Sequence, residues 1–275
     1  IHLKKINQVA IMVSNDSLTA IEWFPFAPGQ QPNKKYNDIV RWIYDALFEL
    51  NVECDIINVE EENLIQYKMI VVPTLYSANQ NTLFRLKEYV NAGGCLISTF
   101  KTAFTNENVK VWSDDQPYIL TECFGMTYNQ FTLPVNVILE DEMLDVDKEE
   151  RYVELFMELL QPQGASVIAT YGHYNWKQYA AITENKFGQG TAIYIGCMTS
   201  KAYLKALLSN VLETKNIKEE KQLDIYPISV RKGINEDGHE ITYYLNYSHE
   251  EQEIRVDNGI ELLCDRNVSQ DEVIK

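Results

Sequence analysis

The chain has 275 residues, with 24 basic against 40 acidic side chains and a formal net charge of −16 at pH 7. Its 45% hydrophobic and 23% charged content is that of a globular protein and not of a disordered one. So acidic a surface repels phosphate backbones and anionic lipid, which speaks against nucleic acid and membrane partners, and no apolar run reaches the ~18 residues a membrane helix needs.

The chain opens Ile1-His2-Leu3-Lys4-Lys5, without a signal peptide or an initiator Met, which suggests a piece of something longer. Five cysteines, Cys54, Cys95, Cys123, Cys197 and Cys264, are widely spaced and form no C-x-x-C pair. They call for neither a zinc site nor a disulfide framework, and no cofactor is expected. Reduced thiols fit a cytoplasmic compartment.

In chain order, Val9–Val13 reads as a buried strand that ends in the turn Ser14-Asn15-Asp16. Residues 17–35 read as irregular, with Pro25, Pro28, Gly29 and Pro32 among the aromatics Trp23, Phe24 and Phe26. Residues 36–50 are helical in period, with Ile39, Val40, Ile43, Ala46, Leu47 and Leu50 on one arc. Strands follow at 52–57, 69–72 and 95–100, with a helix over 79–91 stopped by Gly93-Gly94. A short helix over 118–124 ends at Gly125, and a further helix is expected over 149–160. Strands at 165–171, 179–184 and 191–197 come next; Gly188 and Gly190 suit a tight hairpin between the last two. Lys201–Leu212 closes this part as a helix. The polar stretch 214–222 reads as a boundary, and beyond it strands at 223–232, 240–247 and 251–256 read as an antiparallel meander.

Alternating strands and helices mean a parallel sheet with helices on both faces, and a flavodoxin-like order is the expected one. The division expected is an α/β domain over 1–214 and a small β domain over 223–275. Ligands in such sheets bind at the carboxyl ends of the strands, here Ser14–Asp16, Pro73–Tyr76 and Phe100–Phe104.

Glutamine amidotransferases share this sheet order and need a cysteine on a tight strand-to-helix elbow, with a histidine to take its proton. Cys95 follows two glycines but begins its strand, whereas the elbow is at the end. That end reads Thr99-Phe100-Lys101-Thr102-Ala103, with no cysteine. His173 has no acidic neighbour in sequence, and the acidic runs 60–62 and 140–142 read as solvated. On the helix over 36–50, Trp42 and Phe48 fall about 100° and 140° from Ile43, beyond the core arc. Together with Trp23, Phe24 and Phe26 they are the candidates for subunit contact, since such aromatics are enriched at interfaces.

Three stretches carry a family resemblance. The first is Tyr67 through Tyr76, then Leu86-x-x-Tyr89-Val90-x-x-Gly93-Gly94-x-Leu96-Ile97-x-Thr99-Phe100, then Asn106-Glu107-Asn108. The second runs from Ala180 to Gly196, and the third is Tyr243-x-Leu245-Asn246-Tyr247-Ser248. These resemble the trimerisation domain and C-terminal β domain of family 42 glycoside hydrolases, the bacterial β-galactosidases. The resemblance implies a class I amidotransferase-like fold without its catalytic residues, a homotrimer, and a catalytic (β/α)-barrel as partner that this chain lacks. It also implies an incomplete C-terminal β domain. The expected function is thus subunit association in a β-galactosidase, with no catalytic residue here. The alternatives are a hydrolase using Cys95, or a carbohydrate-binding module stacking sugars on Trp23, Trp112 or Trp176.

Overall fold

The structure, a computed structural model, describes residues 3–5, 7–26, 34–217 and 225–274. Pro28, Gly29, Pro32 and residues 218–224 of the expected boundary and strand lie outside these.

The chain begins with β1 (Val9–Val13), α1 (Asn15–Trp23), α2 (Tyr36–Glu49), β2 (Cys54–Asn58), β3 (Met69–Val72), α3 (Gln80–Asn91) and β4 (Cys95–Thr99). Helix α1 falls in a stretch read from sequence as irregular. Ser14 starts it: its side chain accepts from the Ser17 amide, and Asp16 complements the first turn. A Ser-Asn-Asp-Ser run serves as a helix cap as readily as a turn, and burial of Ala20 and Ile21 decides between them.

A short helix, α4 (Thr121–Phe124), stops at Gly125 with φ 59°. Two-residue strands β5 (Met126–Thr127), β6 (Phe131–Thr132) and β7 (Leu139–Glu140) follow, then β8 (Val153–Glu158) and β9 (Gln161–Pro162). The helix expected over 149–160 is therefore a strand. Leu, Met and Glu favour helix there, but β8 pairs antiparallel with β6 and with β13 (Cys197–Thr199). Pairing on two sides and burial of Phe156 and Met157 outweigh the propensity.

Strands β10 (Ser166–Tyr171), β11 (Ala180–Phe187) and β12 (Gly190–Ile195) lead through β13 to α5 (Lys201–Thr214). Glycines 188 and 190 close the β11–β12 hairpin, as the sequence indicates. A Cβ on Gly190 would lie 2.2 Å from the Val90 carbonyl oxygen and 2.3 Å from that of Gly94, so only glycine fits.

Among the described residues the central sheet has eight strands in the order β2-β1-β3-β4-β12-β11-β10-β7. The first five are mutually parallel and the last three antiparallel. Alternation sorts the strand residues onto two faces. Val9, Ile11, Val71, Ile97 and Ile193 meet α2 and α5, whereas Ala10, Ile70, Leu96 and Tyr194 meet α3 and α4.

Beyond residue 225 the pairing departs from a three-stranded meander. β14 (Ile228–Ile234) and β15 (Glu240–Asn246) form one hairpin, and β16 (Ile254–Val256) pairs with β19 (Glu272–Ile274). Between the latter two lies the hairpin of β17 (Gly259–Glu261) and β18 (Arg266–Val268). Asn51, with φ 56°, ties β14 to the α/β part: its side chain donates to the Ile228 carbonyl at 3.0 Å and accepts from the Val230 amide at 2.9 Å.

Candidate functional site

At the carboxyl ends of β3 and β4 three non-glycine residues adopt left-handed backbone: Thr74 (φ 43°), Lys101 (φ 60°) and Ala103 (φ 58°). Such conformations persist only where surroundings over-determine them, and they collect at functional sites. Here hydrogen bonds fix them. The Thr74 amide donates to Thr99 Oγ1 at 2.8 Å, Thr102 Oγ1 donates to the Thr99 carbonyl at 2.8 Å, and the Ala103 amide donates to the Leu75 carbonyl at 2.8 Å.

Lys101 occupies the elbow itself and is only 4% exposed. Its Nζ lies 3.3 Å from the Phe104 ring centroid, 3.4 Å from Phe131 and 5.3 Å from Phe156, a cage that holds the ammonium by cation–π attraction. Its backbone amide donates to Glu158 Oε1 at 2.9 Å, and Tyr194 Oη donates to Glu158 Oε2 at 2.9 Å. Glu158, at the end of β8, is fully enclosed. Burial raises its carboxyl to about 7 against the opposing pull of the Lys101 ammonium. The same burial lowers Lys101 to about 8, opposed by Glu158.

This arrangement buries an amine and an acid that interact through their charges, and it presents no nucleophilic thiol. Cys95 sits at the amino end of β4, and burial pushes its thiol up to about 12; Cys123 and Cys197 are likewise raised to about 12 and Cys54 to about 11. At neutral pH such thiols are almost wholly protonated and inert. His173 Nδ1 accepts from the Asn175 amide within its own loop. Among the described residues no group of three His, Cys, Asp or Glu is placed to hold a metal, and no helix is long and apolar enough to cross a membrane. A thiol reagent added to the folded protein is expected to modify Cys264, which is exposed, and to spare the other four until denaturant is added. Rapid loss of the Cys95 thiol in the folded state, followed by mass spectrometry, would contradict this.

The contact candidates separate on burial. Trp23 and Phe24 stand out at the end of α1, 75% and 57% exposed. Trp42, expected on the surface, is 7% exposed and packs in the core with Ile39 and Ile43. The wheel angle placed it beyond the arc, but the surroundings of α2 cover more than the arc alone. Phe26 is also packed inward, its ring 5.5 Å from Phe100 and 5.6 Å from Phe156. Phe48 is half-buried beside Tyr44 and Tyr247, with the Arg231 guanidinium 5.0 Å from its ring.

Two acids escaped the sequence reading. Glu158 was hidden in an apparent helix face, and Asp141 in an apparent solvated run. The Asp141 carboxylate is enclosed: it accepts from Arg151 at 2.6 Å, from Tyr203 Oη at 2.7 Å, and from the amides of Met143 and Leu144.

Fold and site together define a mixed α/β protein with a mainly parallel sheet and a buried, ring-caged lysine beyond the carboxyl end of β4. The chain belongs to the β-galactosidase trimerisation domain family, whose model matches residues 7–218. It is 31% identical over 242 residues to the β-galactosidase BgaA of Clostridium cellulovorans, covering 87% of this chain and 35% of that protein. To the BgaA of Planococcus sp. it is 28% identical over 275 residues, covering 98% and 40%. Among solved structures, the β-galactosidase from Bacillus circulans sp. alkalophilus superposes with a TM-score of 0.82 at 23% identity, over 100% of this chain and 41% of that one. The chain thus spans about two fifths of the length of these relatives.

Proposed function

We propose that the chain is the subunit-association portion of a β-galactosidase, that it assembles as a homotrimer, and that it hydrolyses no glycoside itself. The observation that carries this is the family match over 7–218, together with an elbow that offers no reacting group. The catalytic partner is a (β/α)-barrel of the longer protein. The fold we assign is flavodoxin-like, as in class I amidotransferases; the order β2-β1-β3-β4-β12 of the parallel strands supports it. The α/β domain covers 1–214 and the small β domain 223–275. The location we assign is the cytoplasm, on the reduced state of all five cysteines.

Of the aromatic candidates, Trp23 and Phe24 are the ones we place at the subunit contact, because both are largely exposed. A closed three-fold ring pairs this patch with a different one on the neighbour. Each subunit brings −16, so apolar burial must overcome repulsion, and salt is expected to strengthen assembly by screening it. Light scattering is expected to read three times 31.8 kDa, with the assembled fraction rising with salt and falling in Trp23→Glu. A monomer at every salt concentration would overturn the association of this chain.

A chromogenic β-galactoside is expected to remain intact with the purified protein, since glycoside hydrolysis needs two suitably spaced carboxyl groups. Glu158, enclosed and held by Tyr194 and Lys101, faces no substrate. Turnover that co-purifies with the chain would refute the non-catalytic reading.

A further inference from the structure

Away from the caged lysine, an open depression of about 620 Å³ lies between the first turns of α3 and the loop that follows β4. Its volume is in the range of about 300–1,000 Å³ that small-molecule sites occupy. We propose that it binds a neutral pyranose.

The walls are built for that chemistry. Trp112 lines the depression and is held flat against Tyr118, ring centroids 4.0 Å apart and planes 8° from parallel. Gln80 Nε2 donates to Tyr118 Oη at 2.7 Å and so pins the ring that backs the tryptophan. The Trp112 indole nitrogen is shielded and without a partner, so this residue offers its ring face and not a hydrogen bond. Phe84 adds a second aromatic surface, 51% exposed. Aromatic faces of this kind take the C–H face of a pyranose.

Polar groups line the same depression. Asn106 Oδ1 accepts from the amides of Asn108 and Lys110, both at 3.0 Å, which shapes the loop and leaves its NH2 group uncommitted. Asn79 Oδ1 caps α3 by accepting from the Thr82 amide, again leaving its NH2 group. The side chains of Asn81 and Glu107 are exposed on the rim. Amide and carboxylate groups side by side match vicinal hydroxyls, each of which donates and accepts.

Other ligand classes fit less well. No lysine or arginine lines the depression, and Glu107 adds a negative charge, so phosphate and nucleotide are disfavoured. The Thr82 amide of the first turn is already taken by the Asn79 side chain, which lessens the anion affinity of this helix end. A purely apolar ligand would strand the amides without partners. The single carboxylate among the lining residues supports binding and not hydrolysis.

The test titrates the full chain with methyl β-galactoside and methyl α-glucoside, read by saturation-transfer NMR and tryptophan fluorescence, with glycerol as the control. An open site of this kind is expected to bind one of these sugars with a dissociation constant of about 1–10 mM. Asn81→Ala and Glu107→Ala alter exposed side chains and leave the fold intact; together they are expected to weaken binding at least about fivefold. Trp112→Phe is expected to remove the fluorescence response while NMR still detects the sugar. No saturable response up to about 100 mM, or equal affinity in the Asn81→Ala/Glu107→Ala variant, would overturn the proposal. Either failure leaves the light-scattering test of assembly unaffected, because that readout does not depend on sugar.

Discussion

Glu158→Ala is expected to cost about 3–5 kcal/mol of folding stability. The change removes the acceptor of the Lys101 amide and of Tyr194 Oη, and leaves the caged ammonium without its buried counter-charge. Lys101→Met behaves differently. A methionine of similar length fills the same ring cage, and Glu158 can stay protonated, so the expected cost is below about 1.5 kcal/mol. Urea unfolding of the two variants at pH 7 checks the asymmetry; equal costs would show that the pair is not coupled as described.

The pair also gives stability a particular dependence on pH. Glu158 is raised from 4.5 to about 7, so the folded chain holds its proton more tightly than the unfolded chain does. That contribution is complete below pH 4.5 and is lost as pH rises through 7, up to about 3 kcal/mol in all. Lys101 is lowered from 10.5 to about 8, so its contribution has the opposite sign and grows as pH rises from about 8 towards 10.5. The two together predict a minimum between pH 7 and 8. Subtracting the profile of a Glu158→Gln/Lys101→Met double variant isolates it from every other titrating group. A flat difference profile would remove the assignment of these shifts to the pair.

Asp141→Ala is expected to cost about 3–5 kcal/mol, by loosening the segment between β7 and β8 from α5. The enclosed carboxylate satisfies four donors, among them the half-buried Arg151 guanidinium and Tyr203 Oη on α5, and alanine leaves all of them short of an acceptor. Arg151 also donates to the carbonyls of Val146 and Leu144, so the loop is organised around this one ion pair. Asp141→Asn keeps an acceptor and most of the shape, and is expected to cost about half as much. Limited proteolysis within 141–151, compared with cleavage elsewhere, reports the loosening. Unchanged protection in Asp141→Ala would contradict it.

Much of the architecture is determined by the sequence alone. Hydrophobic period and breakers place β1, α2, β3, α3 and β4, because each is an apolar run of the right length with a cap or a glycine at its end. The glycines at 188 and 190 mark the β11–β12 hairpin for a local reason, the close approach of the Val90 and Gly94 carbonyls. The absence of a cysteine from the stretch after β4 was also legible, because it is read from the residues themselves. Family membership was legible too, because it rests on strand and turn patterns that survive in one dimension.

What only the tertiary structure decided is where long-range contacts outweigh local preference. The stretch 153–158 favours helix by composition, yet it is a strand because β6 and β13 supply partners from distant parts of the chain. That choice carries Glu158 to the elbow, 57 residues after Lys101 in sequence, and no local pattern signals their meeting. Trp42 is buried despite its place on the wheel, because a helix is covered by whatever packs beside it and not by its own arc. Asp141 lies in an acidic run that reads as solvated, and it is sealed only because Arg151 and Tyr203 converge on it. Burial of a charge requires a partner, and the partner's position is a property of the folded chain.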